Sequence, residues 1–307
     1  MDVTLGLDQL TGSVPSVVTV GTFDGIHLGH QKLLGSVIEV AQKRGLQSTL
    51  LTFDPHPKAV VAQKSQDKMR LLTTLDEKLE LLQQLGLGRV VVIKFTREFS
   101  ELDYRTFVKD ILLDRLSTRV LVVGHDHAFG RDRAGNISAL EKMCNDLDFE
   151  LREVGPFTIG EKTVSSTIIR QLIGDGFVDE AAQMLGRPYS LSGLVTRGDG
   201  RGKKLRYPTA NLAMGNNMKL VPLGGVYAVD CHLRQDVCRG MANIGYKPTF
   251  GGVNKTLEVH LIGFQGDIYG DRLKIDFLKR LRDEKKFDSK NELIEQLTKD
   301  KEQSLKL

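Results

Sequence analysis

The stretch Val17-Val18-Thr19-Val20-Gly21-Thr22-Phe23-Asp24-Gly25-Ile26-His27-Leu28-Gly29-His30 decides how the first half of the chain folds. Four β-branched residues open it, a glycine-punctuated turn follows, and a helical pattern takes over at Gln31–Arg44. Strand, tight turn and helix in immediate succession make the opening of a βαβ unit. Four more apolar, β-branched runs come after it, at Ser48–Phe53, Arg89–Phe95, Arg119–Val123 and Phe149–Val154. Helical patterns separate them. Thr74-Leu75-Asp76-Glu77 reads as a capping box, and Leu75, Leu79, Leu82 and Leu85 then recur on one face until Gly86 stops the helix. Tyr104–Leu116 and Ile137–Leu147 complete the alternation. Continuous apolar strands separated by helices predict an α/β, Rossmann-like domain whose parallel sheet is covered on both faces.

The chain has 307 residues, enough for two domains at about 150 residues each. A composition of 40% hydrophobic and 27% charged residues excludes collagen-like, coiled-coil and wholly disordered classes. No run of 18 or more apolar residues is present, and the N-terminus lacks the basic and apolar regions of a secretory signal. Cys144, Cys231 and Cys238 are odd in number and lack metal-ligand spacing, so they read as reduced thiols of a cytoplasmic protein. The net charge of +4 is unevenly spread: residues 1–185 hold 21 Lys+Arg and 25 Asp+Glu, residues 186–307 hold 22 and 14. A basic second half suits a polyphosphate ligand or a solvated surface. Nucleic acid is the weaker partner, since no basic stretch is interleaved with aromatics, and no membrane partner is expected. Oligomeric state is left open.

Ligands of doubly wound sheets bind beyond the carboxyl ends of the strands. After the first strand, Gly21 and Gly25 permit close backbone approach, and His27 and His30, three apart at a helix start, share a face on which imidazoles donate to phosphate. A structural histidine pair is the plain alternative, and zinc would need a third ligand that is missing. After the second strand, Phe53-Asp54-Pro55-His56-Pro57 reads as a stiff extended loop rather than a helix start. Gly124-His125-Asp126-His127-Ala128-Phe129-Gly130 follows the fourth. Ser165-Ser166-Thr167-Ile168-Ile169-Arg170 follows the fifth, with hydroxyls at a helix start that alone would be an N-cap.

The pattern breaks at Leu185-Gly186-Arg187-Pro188-Tyr189. Short strands then follow at Ser190–Thr196, Gly225–Leu233, Val237–Ile244, Thr256–Ile262 and Leu273–Phe277, mostly alternating in polarity, as in a closed or nearly closed barrel. Ser289-Lys290-Asn291-Glu292 reads as a second capping box, opening a C-terminal helix. Gly198, Gly200 and Gly202 would let a loop bearing Arg197, Arg201, Lys203, Lys204 and Arg206 wrap a phosphate, or form a flexible basic hairpin. Thr209 and Asn211 offer uncharged oxygen ligands that suit Mg²⁺. Glu258 follows Asn243–Gly252 and is either a proton acceptor near that site or a surface carboxylate.

The ordered motifs GTFDGIHLGH, TFDPHP, GHDHAFG and SSTIIR resemble the adenylyltransferase module of bacterial bifunctional riboflavin kinase/FAD synthetases. GRPYSLSG, PTANL, GVYAV, NIGYKPTFGG, LEVHLIGFQGDIYG and LRDEKKF resemble their riboflavin kinase module. The resemblance implies an FMN adenylyltransferase domain over residues 1–186 and a six-stranded flavokinase barrel with a C-terminal helix over 187–307. It implies that Gly21, Phe23, Asp24, Gly25, His27 and His30 meet ATP, with Ser165, Ser166, Thr167 and Arg170 on the far side of the triphosphate. Asp126 would help hold the nucleotide and the flavin phosphate, and Phe53, Pro55, His56, Pro57 and Phe129 the flavin. In the barrel it implies nucleotide contacts from Gly198, Gly200, Arg201, Gly202, Lys203, Pro208 and Asn243, and Mg²⁺ at Thr209 and Asn211. Glu258 would be the base, with Arg282 and Glu284 over the flavin ring. Thr22, Asp54 and His127 depart from the residues usual at their positions. The implied reactions are riboflavin plus ATP to FMN plus ADP, then FMN plus ATP to FAD plus pyrophosphate. A flavin carrier without catalysis and a monofunctional enzyme are the rivals, told apart by which of FMN and FAD forms.

Overall fold

The computed structural model describes residues 1–10, 14–61, 69–125, 127–131, 134–197, 207–215, 218–249 and 252–307. Its backbone divides into two compact units, Met1–Ser166 and Thr167–Leu307.

The first unit contains β1 (Asp2–Leu5), β2 (Ser16–Val20), α1 (Leu28–Arg44), β3 (Gln47–Asp54), α2 (Pro57–Val61), α3 (Leu75–Gln84) and β4 (Arg89–Lys94). It continues with α4 (Arg97–Ser100), α5 (Tyr104–Thr106) running on into a π-helical stretch (Phe107–Arg115), and β5 (Thr118–Gly124). A small hairpin of β6 (Ala128–Phe129) and β7 (Gly135–Asn136) precedes α6 (Ile137–Asp146) and β8 (Glu150–Val154), and another pairs β9 (Thr158–Ile159) with β10 (Lys162–Thr163). Six strands pair in parallel in the order β1-β4-β3-β2-β5-β8. Successive side chains point to opposite faces. Val17, Val90, Val120 and Val122 therefore pack under α1 and α3, while Val18, Val20, Val91, Leu121 and Val123 pack with Val108 and Leu112 of the π-helical stretch and Leu140 of α6. Strand order runs outward in one direction through β3 and β4 and in the other through β5 and β8. The crevice at the carboxyl ends of β2 and β5 is thus the switch point of the sheet.

Three local readings change. β1 is an additional edge strand, too short and too exposed to show an apolar run. α1 starts at Leu28, one turn earlier than its apolar pattern indicates. The loop after β3 does open a helix: Pro57 is the first residue of α2, a position where its missing N–H has no intrahelical acceptor to lose.

α7 (Ser166–Gly174) crosses from the first unit into the second, which continues with α8 (Val178–Leu185), β11 (Tyr189–Thr196), β12 (Ala210–Ala213), β13 (Gly225–Leu233), β14 (Asp236–Thr249), β15 (Gly252–Leu261), β16 (Arg272–Arg282) and α9 (Lys290–Leu305). The six strands close a barrel in the order β11-β12-β15-β14-β13-β16, antiparallel throughout. Its interior holds Leu191, Tyr227, Val229, Cys231, Val259, Ile275 and Phe277, all fully buried. β12 has only four residues, below what alternation can register. α8 packs on β11 and β16, and α9 on β13, β14 and β16. Ser289 Oγ accepts from the Glu292 N–H at 3.2 Å and so caps α9. Ser304 Oγ, buried on that helix, donates to the Gly240 carbonyl at 2.9 Å.

Candidate active sites

In the barrel, register alone assembles the site. Arg282 pairs with Val226, Val226 with Asn243, Asn243 with Glu258, and Glu258 with Asn211. Directly paired residues share a face of the sheet, so five strands contribute one residue each to a single outward row. Leu257 and Val259 on either side of Glu258 point into the barrel core. Thr209 Oγ1 donates to Glu258 Oε2 at 3.2 Å. The row opens on a cavity of about 480 Å³ whose wall includes Thr209, Asn243, Glu258, Arg282 and Glu284. These expected residues, far apart in sequence, are therefore brought together. Pro208 is held through its carbonyl, which accepts from His260 Nδ1 at 2.8 Å. Burial pushes the His260 pKa down against that hydrogen bond.

The cavity also has lining that motif reading misses: Met241 and His260 on the same outward face, Phe287 after β16, and Leu293 and Leu297 of α9. The available signals are the i, i+2 spacing of His260 from Glu258 and the i, i+4 spacing of the two leucines. The Gly245 backbone lies close under Glu284: a Cβ there would come within 2.7 Å of Glu284 Oε1 and would push that side chain aside. Arg282 is committed within the protein. Its Nε and Nη2 donate to Asp300, a residue of α9 only 1% exposed, at 2.8–3.1 Å, and Nη1 donates to the Asp283 carbonyl. Its guanidinium lies 5.8 Å from the centre of the Phe287 ring. It can meet a ligand with its plane and its remaining N–H groups, not with an open fork. Gly198, Gly200, Arg201, Gly202 and Lys203 lie outside the described residues, as does Asp126 in the first unit.

At the switch point of the parallel sheet, the turn after β2 is sharply wound. Phe23 and Ile26 have φ of 47° and 40°, and Gly25 has φ of 90°. Such values for a Phe and an Ile persist only when surrounding contacts fix them. Asp24 supplies those contacts. Its carboxylate, 2% exposed, accepts from the Leu72 and Thr73 N–H groups and the Thr73 hydroxyl at 2.9–3.1 Å. Thr73 Oγ1 also accepts from the Gly25 N–H. Asp24 is thus the anchor of the turn, its carboxylate occupied with the 72–73 segment. His27 Nδ1 accepts from the His30 N–H at 3.2 Å and caps α1. That bond places the proton of the neutral ring on Nε2. The two imidazoles stack at 3.6 Å and 16°, with Phe23 against His30.

Ser166 Oγ donates to the Asp24 carbonyl at 2.9 Å, joining the last residue of the first unit to the histidine turn. A Cβ on Gly29 would lie 3.7 Å from the Val164 carbonyl, so the two segments also meet there. Ser165 precedes α7, Thr167 is exposed on its first turn, and Arg170 follows a turn in. Phe53 and Phe129 belong to one aromatic chain through Phe99 and Phe107, with centroid separations of 5.9, 6.1 and 4.8 Å. Phe99 and Phe107 gave no motif signal, because their register with Phe53 is a tertiary fact. Pro55 and Pro57 flank His56, whose Nδ1 accepts from the Lys58 N–H at 3.1 Å.

The FAD synthetase family model matches residues 11–168 and the riboflavin kinase model residues 185–307. The bifunctional riboflavin kinase/FMN adenylyltransferase of Bacillus subtilis is 37% identical over 95% of this chain and 92% of its own length. Its counterpart in Listeria monocytogenes is 38% identical over 94% and 91%, and that of Escherichia coli K12 35% over 92% and 90%. A solved structure from Streptococcus pneumoniae, described as a macrolide-efflux protein, superposes with a TM-score of 0.92 at 32% identity, covering 100% of both chains. Among the described residues no helix is long and apolar enough to cross a membrane.

A switch-point parallel sheet and a closed flavokinase barrel on one chain define a two-domain ATP-dependent flavin transferase. The chain belongs to the bifunctional riboflavin kinase/FMN adenylyltransferases, which phosphorylate riboflavin to FMN and adenylylate FMN to FAD.

Proposed function

We propose that residues 187–307 phosphorylate riboflavin at the outward barrel row and that residues 1–186 transfer the adenylyl group at the histidine turn. The bounds of the two family matches support this division. The observation that carries the kinase assignment is the register of Asn211, Glu258 and Asn243 on one face beside a cavity of about 480 Å³.

The two reactions make different demands on the chain. Riboflavin presents a neutral hydroxyl that must lose a proton as it attacks the γ-phosphorus, and Glu258 is the acceptor on that face. Thr209 donates to it and sets its orientation. Arg282, Phe287 and the α9 leucines offer a plane and an apolar wall for the flavin ring. FMN, by contrast, brings a phosphate that is already an anionic nucleophile. Adenylyl transfer then needs alignment and donors to the departing pyrophosphate. His27 with its proton on Nε2, His30, Ser165, Ser166, Thr167 and Arg170 suit that role, and Phe53 and Phe129 suit an aromatic ligand.

Mg²⁺ fits the barrel by donor chemistry. Thr209 and Asn211 carry hard, uncharged oxygens of the kind that ligate Mg²⁺. An ion held there would take its remaining oxygens from triphosphate and water and would neutralise phosphate charge. Three free cysteines accord with the cytoplasm as its compartment. In purified protein, Thr209→Val and Asn211→Ala should raise the Mg²⁺ concentration needed to form FMN and leave FAD formation from supplied FMN unchanged. Equal shifts in both reactions would overturn the barrel assignment.

A further inference from the structure

Lys78 takes no part in the roles assigned above, yet it is a buried cation in the first unit. It lies on α3 and is only 6% exposed. Its ammonium donates to the Thr22 carbonyl at 2.7 Å and reaches Thr52 Oγ1 at 3.5 Å. Thr52 Oγ1 itself donates to the same carbonyl at 3.3 Å. Thr22 opens the turn after β2, and Thr52 stands near the end of β3, so one side chain ties the carboxyl ends of two central strands together. Lysine is almost never fully buried, because an ammonium loses its hydration there. Burial pushes the Lys78 pKa down, and the carboxylates of Asp24 and Asp54 oppose that shift.

Satisfying one carbonyl does not call for a buried cation. Thr52 Oγ1 already donates to it, and a neutral amide side chain would supply a second donor without the desolvation cost. A fixed positive charge is useful where a polyanion must sit, and the turn that Lys78 holds is the one carrying the stacked histidines. We propose that Lys78 is a positioning residue for adenylyl transfer, holding the Gly21–His30 turn through Thr22 and keeping a positive charge beneath it that favours the ATP triphosphate. The proposal rests on the reading that this turn receives the triphosphate. Lys78 makes no contact with substrate in it and acts through the backbone of the turn and through its field.

The test uses the full chain and three substitutions. Lys78→Met removes donor and charge, Lys78→Gln keeps a donor without the charge, and Lys78→Arg keeps the charge. FAD formation from FMN gives kcat and the KM values for ATP and FMN. FMN formation from riboflavin in the same preparation is the internal reference. Lys78→Met should raise the ATP KM on the order of tenfold, the scale of one charge acting on a polyanion through the protein. The FMN KM and riboflavin phosphorylation should stay within about twofold of the unsubstituted protein. Lys78→Gln should keep the raised ATP KM, and Lys78→Arg should bring it back down. Should Lys78→Met not fold, the comparison of Lys78→Gln with Lys78→Arg carries the test. Unchanged kinetics in Lys78→Gln would overturn the proposal, since a neutral donor would then suffice. A lowered melting temperature with unaltered ATP KM in the folded enzyme would overturn it too. If His27→Ala/His30→Ala is silent while Lys78→Met raises the ATP KM, the histidine assignment falls and the charge role of Lys78 stands. The opposite pair of results removes Lys78 alone.

Discussion

Replacing Glu258 by glutamine separates the chemistry of the two halves. The substitution keeps the size of the side chain and a carbonyl oxygen for the Thr209 hydroxyl, which donates to Glu258 Oε2 at 3.2 Å. Glu258 is half-buried on the outward face, with the buried Leu257 and Val259 on either side untouched. The structural loss is one charge-assisted hydrogen bond becoming neutral, under about 1 kcal/mol. Losing a general base costs on the order of 10²–10⁴ in rate, or roughly 2.7–5.5 kcal/mol of transition-state stabilisation. The kinetic effect therefore exceeds the structural one several-fold. With riboflavin as substrate, FMN formation should fall by that factor. With FMN supplied, FAD formation should stay near the unsubstituted rate, because a phosphate nucleophile has no proton to give up. Chromatographic separation of riboflavin, FMN and FAD reads both rates from one preparation. Parallel loss of the two activities in a protein that still melts cooperatively would refute the role of Glu258.

Three other outcomes are expected. His27→Ala/His30→Ala should abolish FAD formation, at about 10²–10³-fold per lost donor, while sparing FMN formation; His27→Asn, which keeps an N-cap acceptor for α1, should recover stability but not activity, as thermal melts and FAD assays would register. Asp300→Ala strands the Arg282 guanidinium against α9 and should destabilise the second unit by roughly 3 kcal/mol, the cost of breaking a buried pair, visible as a lower denaturation midpoint. A fragment of residues 167–307 should phosphorylate riboflavin and melt above one of residues 187–307, since only the longer fragment keeps α8 on β11 and β16; equal melting of the two would show that α8 adds nothing to the barrel.

Much of this protein is written locally. Glycine turns between β-branched runs, the capping box at Thr74 and the apolar face of α3 act over a few residues, so the parallel sheet and the positions of the loops after its strands follow from the sequence. The glycines and histidines after β2 were legible as a turn into a helix for the same reason, while their reading as a phosphate site came from the family resemblance and not from the local pattern. Strand register is different. That Arg282, Val226, Asn243, Glu258 and Asn211 form one row depends on how five strands pair across more than seventy residues of chain, and no local pattern encodes it. The same holds where a side chain takes its partner from afar. Asp24 faces Leu72 and Thr73, and Arg282 spends its fork on Asp300 of the last helix. Lys78 looks like an ordinary exposed helix lysine until α3 packs against the sheet and sets its ammonium against the Thr22 carbonyl and the Thr52 hydroxyl. Short-range sterics and periodicity fixed the long strands and helices, though not the short β1, α2 and β12. Burial, which strips a polar group of water and obliges it to find another partner, was decided only by the tertiary structure.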